Sequence, residues 1–216
     1  MVSGGCMKNI FLIIFLSFAL FSENSYEVYA DSRNTELESG DPDIEGNAFG
    51  GRAYLFQDKL MIDISFGSFD QEGPVAGANA PGMTPEWDNE GDFYILRGEY
   101  FVFGELSSGA LGIVGQIQEY EIDFSIPAFG PNFSGSGEST SNDIGFVYRM
   151  ERKEGFNYGV GATHSFIEQG GDESNANFLF VEGGYSFSNG ISLRARLSEG
   201  YGDFASGLNF SIGYKF

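Results

Sequence analysis

Eight charged residues have the types and spacing to form a chemical site. Arg97, Glu99, Glu105, Arg149, Glu151, Glu182, Arg194 and Arg196 recur on one parity of segments in which apolar and polar residues alternate. Period-two alternation places such residues on one face of a strand. If those strands close on themselves, guanidinium and carboxylate groups converge on an enclosed axis. Two chemistries fit: a polar core of ion pairs that fills the interior, or a charged constriction that selects solutes.

Other candidates are weaker. His164 is the only histidine. It follows Phe156, Tyr158, Val160 and Ala162 in register, and Ser165 beside it faces the other way, so no nucleophile is matched to it. Asp88-Asn89-Glu90-Gly91-Asp92 has the composition of a calcium loop but lacks the twelve-residue pattern with its terminal glutamate. The remaining acids, Asp70, Glu72, Glu86, Asp172 and Glu173, read as solvated loop residues. No phosphate loop, zinc spacing or Ser/His/Asp set occurs, so neither an enzyme nor a cofactor or metal is expected.

The elements that position the charges are strands. Leu208, Phe210, Ile212, Tyr214 and Phe216 share one face against Gly207, Asn209, Ser211, Gly213 and Lys215. Ile191, Leu193, Ala195 and Leu197 oppose Arg194 and Arg196. Ile144, Phe146 and Tyr148 oppose Arg149, and Leu179 and Val181 oppose Glu182. Tyr94, Leu96, Tyr100, Val102 and Leu106 oppose Arg97, Glu99 and Glu105. Between Ala110 and Phe124 the parity slips, as a bulge near Gln118-Glu119 or a strand rising beyond the lipid would cause. Connections alternate in length. Ser107–Gly109, Lys153–Gly155 and Ser188–Gly190 are tight, whereas 71–91, 125–142, 168–176 and 199–204 are longer. That asymmetry belongs to barrels with short periplasmic turns and longer external loops.

The expected fold is therefore all-β: an antiparallel, transmembrane, up-and-down β-barrel. Eight strands run from Lys59 to Phe216. Phe49–Gln57 reads as a further strand and allows ten, given a partner. A barrel satisfies every backbone group without water, which is why it can span a membrane.

Composition agrees. The net charge is −20, with 11 Lys and Arg against 31 Asp and Glu, which excludes a nucleic-acid binder. The 23 Phe, 11 Tyr and 1 Trp are too much apolar surface for a disordered chain. Lys8, the apolar run Ile10–Phe21 and Val28-Tyr29-Ala30 form a secretory signal with a cut after Ala30. Met7 is an alternative start. The single cysteine, Cys6, precedes that run, so no disulfide is expected after export. The organisation predicted is a signal peptide over 1–30, an acidic flexible leader over 31–45 and a barrel over 46–216.

The ending carries a family likeness. Phe210-Ser-Ile-Gly-Tyr-Lys-Phe216 resembles the last strand of bacterial outer-membrane proteins, with a terminal aromatic and apolar residues at every second place. The chain is similar to small barrels of the outer-membrane protein A and opacity-protein type and to porin-like chains. The resemblance implies export through the periplasm to the outer membrane of a Gram-negative cell. It implies Phe210, Ile212, Tyr214 and Phe216 as an assembly signal for the barrel-assembly machinery. Outer-membrane lipid and lipopolysaccharide are the expected partners. Porin-like passive transport of small solutes is the function it implies; a non-conducting structural or surface-interaction barrel with acidic external loops is the alternative.

Overall fold

The computed structural model describes residues 25–36, 42–75, 86–129, 133–201 and 206–216. Ten strands form one closed antiparallel barrel in which each strand pairs with its sequence neighbours and the first pairs with the last. They are β1 (Ser25–Glu36), β2 (Ile44–Leu55), β3 (Leu60–Pro74), β4 (Glu86–Glu105), β5 (Gly109–Ser125), β6 (Ser134–Met150), β7 (Gly155–Gln169), β8 (Asp172–Ser186), β9 (Ile191–Tyr201) and β10 (Ser206–Lys215). The count is the larger of the two that the sequence allows. β3 to β10 are the eight expected strands, and Phe49–Gln57 falls largely within β2.

The partner that β2 requires is β1. It occupies Ser25–Ala30, assigned above to the signal peptide, and Asp31–Glu36, assigned to the leader. These residues are strand in the closed barrel, so a cut after Ala30 would remove the first half of β1. β1 pairs with β10 from Glu27↔Lys215 to Glu36↔Ser206 and with β2 from Ser25↔Tyr54 to Thr35↔Ile44. Beyond the last ladder pair, the Tyr26 amide donates to the Phe216 carbonyl at 3.1 Å and the Phe216 amide returns the bond at 2.9 Å. The two rings stack with centroids 5.9 Å apart. A flexible leader would leave β2 and β10 with open edges. The apolar run Ile10–Phe21, Cys6 and Met7 lie outside the described residues.

The outward face is apolar. Phe49, Ile144, Phe146, Val181, Phe210 and Ile212 are all more than half exposed. The inward face holds the charges, small residues and a few folded-over rings. Three of these rings lie against a glycine directly across the ladder: Tyr29↔Gly50, Phe101↔Gly112 and Phe180↔Gly161. A Cβ at Gly50 would meet the Tyr29 ring at 2.3 Å, and one at Gly161 the Phe180 ring at 2.4 Å. Glycine on the concave face thus makes room for an aromatic to lie flat in a narrow interior.

The slip expected in β5 is not a bulge. β5 pairs with β4 and β6 in unbroken register through Gln118 and Glu119, and Tyr120 simply turns inward. Here the strand has passed the apolar band, so nothing requires an apolar residue outside. The irregularity lies on β4, between Phe101 and Phe103. The extra residue there reverses the parity of the strand end. Loops expected at 71–91 and 125–142 are about half strand: β3 runs to Pro74, β4 begins at Glu86 and β6 at Ser134. The wall made by β3 to β6 is accordingly taller than that made by β9, β10 and β1.

Because β1 carries residues that close the barrel, we expect export processing to cut upstream of Ser25. Intact mass of protein purified from the membrane should include Ser25–Ala30; an N-terminus at Asp31 would contradict this.

Candidate functional site

The inward charges form one connected layer toward the tight-turn end of the barrel. Arg149 sits between Glu99 and Glu182, at 2.7 Å from each. Arg194 reaches Glu151 at 2.7 Å, Glu27 at 3.0 Å and Glu182 at 3.2 Å. Arg52 joins Glu27 at 3.1 Å to Asp63 at 2.7 Å, and Arg97 approaches Glu99 at 2.7 Å. Lys215 donates to Glu151, Ser192 to Glu27 and the Tyr29 hydroxyl to Asp63. The layer therefore has five cations, Arg52, Arg97, Arg149, Arg194 and Lys215, against five carboxylates, Glu27, Asp63, Glu99, Glu151 and Glu182. Arg149 and Glu99 are almost fully buried. A charge in such a place is tolerated only if paired and hydrogen-bonded, and here each carboxylate has at least two partners.

Beside the layer lies an apolar plug of Tyr54, Met61, Phe101, Leu106, Ala110, Val114, Val147 and Phe180. It fills the lumen between β2 and β6, with Phe180 reaching across from β8. Ion pairs and plug lie side by side at this level of the barrel.

Seven of the eight residues singled out in the sequence face this interior, and six of them join ion pairs of the layer. Glu105 does not. The irregularity at Val102 turns it outward, where it is exposed, while Leu106, expected on the lipid side, is buried in the plug. Arg196 faces inward but has no carboxylate within ion-pair distance among the described residues. Its guanidinium lies 4.3 Å from the Phe180 ring centroid. The layer's remaining members were missed for separate reasons. Glu27 and Tyr29 lay within the presumed signal peptide, Arg52 in a strand without a partner, and Asp63 and Lys215 in alternating segments whose lone charge gave no hint of a mate.

Toward the loop end, the layer is the floor of a cup of about 320 Å3. Its wall carries Arg33 paired with Asp31 at 2.9 Å. Across from them, Asp143 accepts from Ser141 at 2.6 Å, Gln116 at 2.8 Å and Gln118 at 3.2 Å. His164 faces out, 3.0 Å from Asn177 Oδ1 and edge-on to Phe166. The stretch Asp88–Asp92 is part of β4, so its side chains alternate between faces and do not wrap a cation. Asp70 and Glu90, read as loop acids, stand on strands in an outward row with Glu45 and Asp123: Glu45↔Asp70, Asp70↔Glu90 and Glu90↔Asp123 are cross-strand neighbours. Phe210, Ile212, Tyr214 and Phe216 are all at least half exposed, on the lipid side of the closing seam.

No protein-family model matches this sequence, and no curated protein matches it. Solved structures match in fold. The beta domain of the Bordetella autotransporter BrkA gives a TM-score of 0.56 at 14% identity, covering 90% of this chain and 99% of that one. The translocator domain of the autotransporter NalP from Neisseria meningitidis gives 0.50 at 12% identity, covering 98% and 95%. This chain has the fold of bacterial outer-membrane barrels. At these identities the likeness concerns architecture alone. The apolar outward band and the charged interior are the physical marks of a wall with hydrocarbon outside.

Removing one member of the buried layer should be costly. Arg149→Met leaves Glu99 and Glu182 short of their shared cation, and we expect a loss of about 3–5 kcal/mol. Lys59→Met removes only an exposed contact to the Gly104 carbonyl and should cost less than about 1 kcal/mol. Urea unfolding from lipid vesicles, followed by tryptophan fluorescence and gel mobility, measures both.

Proposed function

We propose that this protein is a non-conducting outer-membrane barrel that anchors a tall acidic wall and its loops at the cell surface. The observation that carries this reading is the floor of the lumen. A connected layer of ion pairs and an apolar plug lie side by side at one level, and a solute could pass only by breaking several buried pairs. The tight turns then face the periplasm and the wall of β3 to β6 rises outside, beside lipopolysaccharide. The outward rows of carboxylates suit contact with cationic partners more than with bare phosphate head groups. Assembly through the barrel-assembly machinery, with Phe210, Ile212, Tyr214 and Phe216 as its signal, belongs to the same reading, as does the absence of catalysis.

Porin-like passive transport is the second reading. It is favoured by the ten-strand count, which gives a wider bore than eight, and by the cup of about 320 Å3 above the floor. Planar-bilayer recording separates the two. We expect folded, heat-modifiable protein to give no discrete conductance steps. Steps that change amplitude when Arg194 and Arg196 are both replaced by Gln would overturn the anchoring reading in favour of transport.

A further inference from the structure

Arg196 is the one lumen arginine among the described residues without a carboxylate. Arg33, Arg52, Arg97, Arg149 and Arg194 all have one within 3.1 Å. Its direct cross-strand neighbour is Glu182, which would be the natural mate. That carboxylate is drawn down to Arg149 and Arg194 instead. The other acids of the cup are also committed: Asp31 to Arg33, Asp63 to Arg52 and Tyr29, and Asp143 to Ser141, Gln116 and Gln118.

What holds Arg196 is a ring. Its guanidinium carbon lies 4.3 Å from the Phe180 centroid, and Arg97 approaches the same ring at 4.6 Å. Stacking on an aromatic face restrains the plane of a guanidinium while leaving the N–H groups at its edge free. Those donors border the cup, whose wall nearby is lined by Ser198, Asn209 and Ser211. A volume of about 320 Å3 is at the lower end of the range for small-molecule sites, and a water's share of liquid volume is about 30 Å3. The cup therefore has space for a small solute, a positioned fork of donors, and no carboxylate within ion-pair distance of that fork among the described residues.

We propose that the cup binds a small oxyanion, the carboxylate or phosphate group of a small solute, through the guanidinium of Arg196. The planar fork matches two oxygens of such a group, and a charge-assisted pair supplies the counter-charge that Glu182 does not. Cations are disfavoured, because five arginines, Arg33, Arg52, Arg97, Arg194 and Arg196, line the cup against four carboxylates, Asp31, Asp63, Asp143 and Glu182. The site stands apart from the question of conduction: a closed floor and an open one leave Arg196 equally unpaired.

The test uses the full chain refolded in zwitterionic micelles. Sodium acetate and sodium phosphate are titrated separately by calorimetry, with chloride holding ionic strength constant. We expect saturable binding of at least one probe; acetate alone would assign a carboxylate ligand, phosphate alone a phosphoryl ligand. Arg196→Gln should weaken it at least tenfold, while Arg152→Gln, at the turn end outside the cup, should leave it unchanged. A readout on the unaltered protein guards against a folding defect. Phenylglyoxal should modify Arg196 faster than Arg149 or Arg194, and the bound probe should slow that reaction at least threefold. No saturable binding of either probe, or modification of Arg196 that the probes do not slow, would overturn the proposal.

Discussion

A peptide group facing hydrocarbon has no water to bond with, so a membrane-spanning sheet cannot tolerate an edge. The whole molecule follows from that constraint. Ten strands give a ring only if the first meets the last, and the meeting of β1 with β10 is what converts a ribbon into a wall. Alternation of side chains then assigns one face to lipid and the other to a confined interior. Charges follow because lipid excludes them, and they pair because the interior is too narrow to hydrate them all. The ladder makes the seam, the seam makes the lumen, and the lumen dictates which side chains are compatible with each other.

How much of this could be read in the sequence depended on the contrast between the two faces. β10 is legible because Phe210, Ile212 and Tyr214 stand against Asn209, Ser211 and Gly213. β9 is legible because Leu193 and Leu197 stand against two arginines. β1 has a weaker contrast. Its inward residues are Glu27, Tyr29, Asp31 and Arg33, but its outward ones fade from Val28 and Ala30 to Ser32 and Asn34, so no sustained apolar face marks the strand. It also follows the apolar run Ile10–Phe21, so its small residues carry a cleavage pattern as well as a strand. The end of β4 misled for a different reason: one extra residue at Val102 exchanged the faces of Glu105 and Leu106, and single-residue insertions leave no trace in composition.

The candidate site was legible as a set of inward charges but not as a set of partnerships. Parity alone gave Arg97, Glu99, Arg149, Glu182, Arg194 and Arg196 their common side. Which acid meets which base depends on the height at which each strand crosses the layer and on the bore of the ring. Arg194 and Glu27 are 167 residues apart and meet only because the ring closes between them. A guanidinium also reaches farther than the spacing between adjacent strands, so Glu182 can bypass its ladder neighbour Arg196 for Arg149. Several near-equivalent pairings exist for any such set, and packing against Tyr54, Met61 and Phe180 selects one of them.

The equal number of cations and carboxylates in the floor has a consequence for a protein embedded between two different electrolytes. Fixed charge in lipopolysaccharide and periplasm sets up a Donnan voltage across such a membrane. A voltage exerts force on net charge, and five positive groups opposed by five negative ones present none to it. The field can polarise the floor but cannot pull it up or down the barrel. A floor with a surplus of either sign would act as a voltage-sensitive piston; these pairs are a neutral electrolyte held in place, and Arg196 on the Phe180 ring is the charge beside them that a field can still act on.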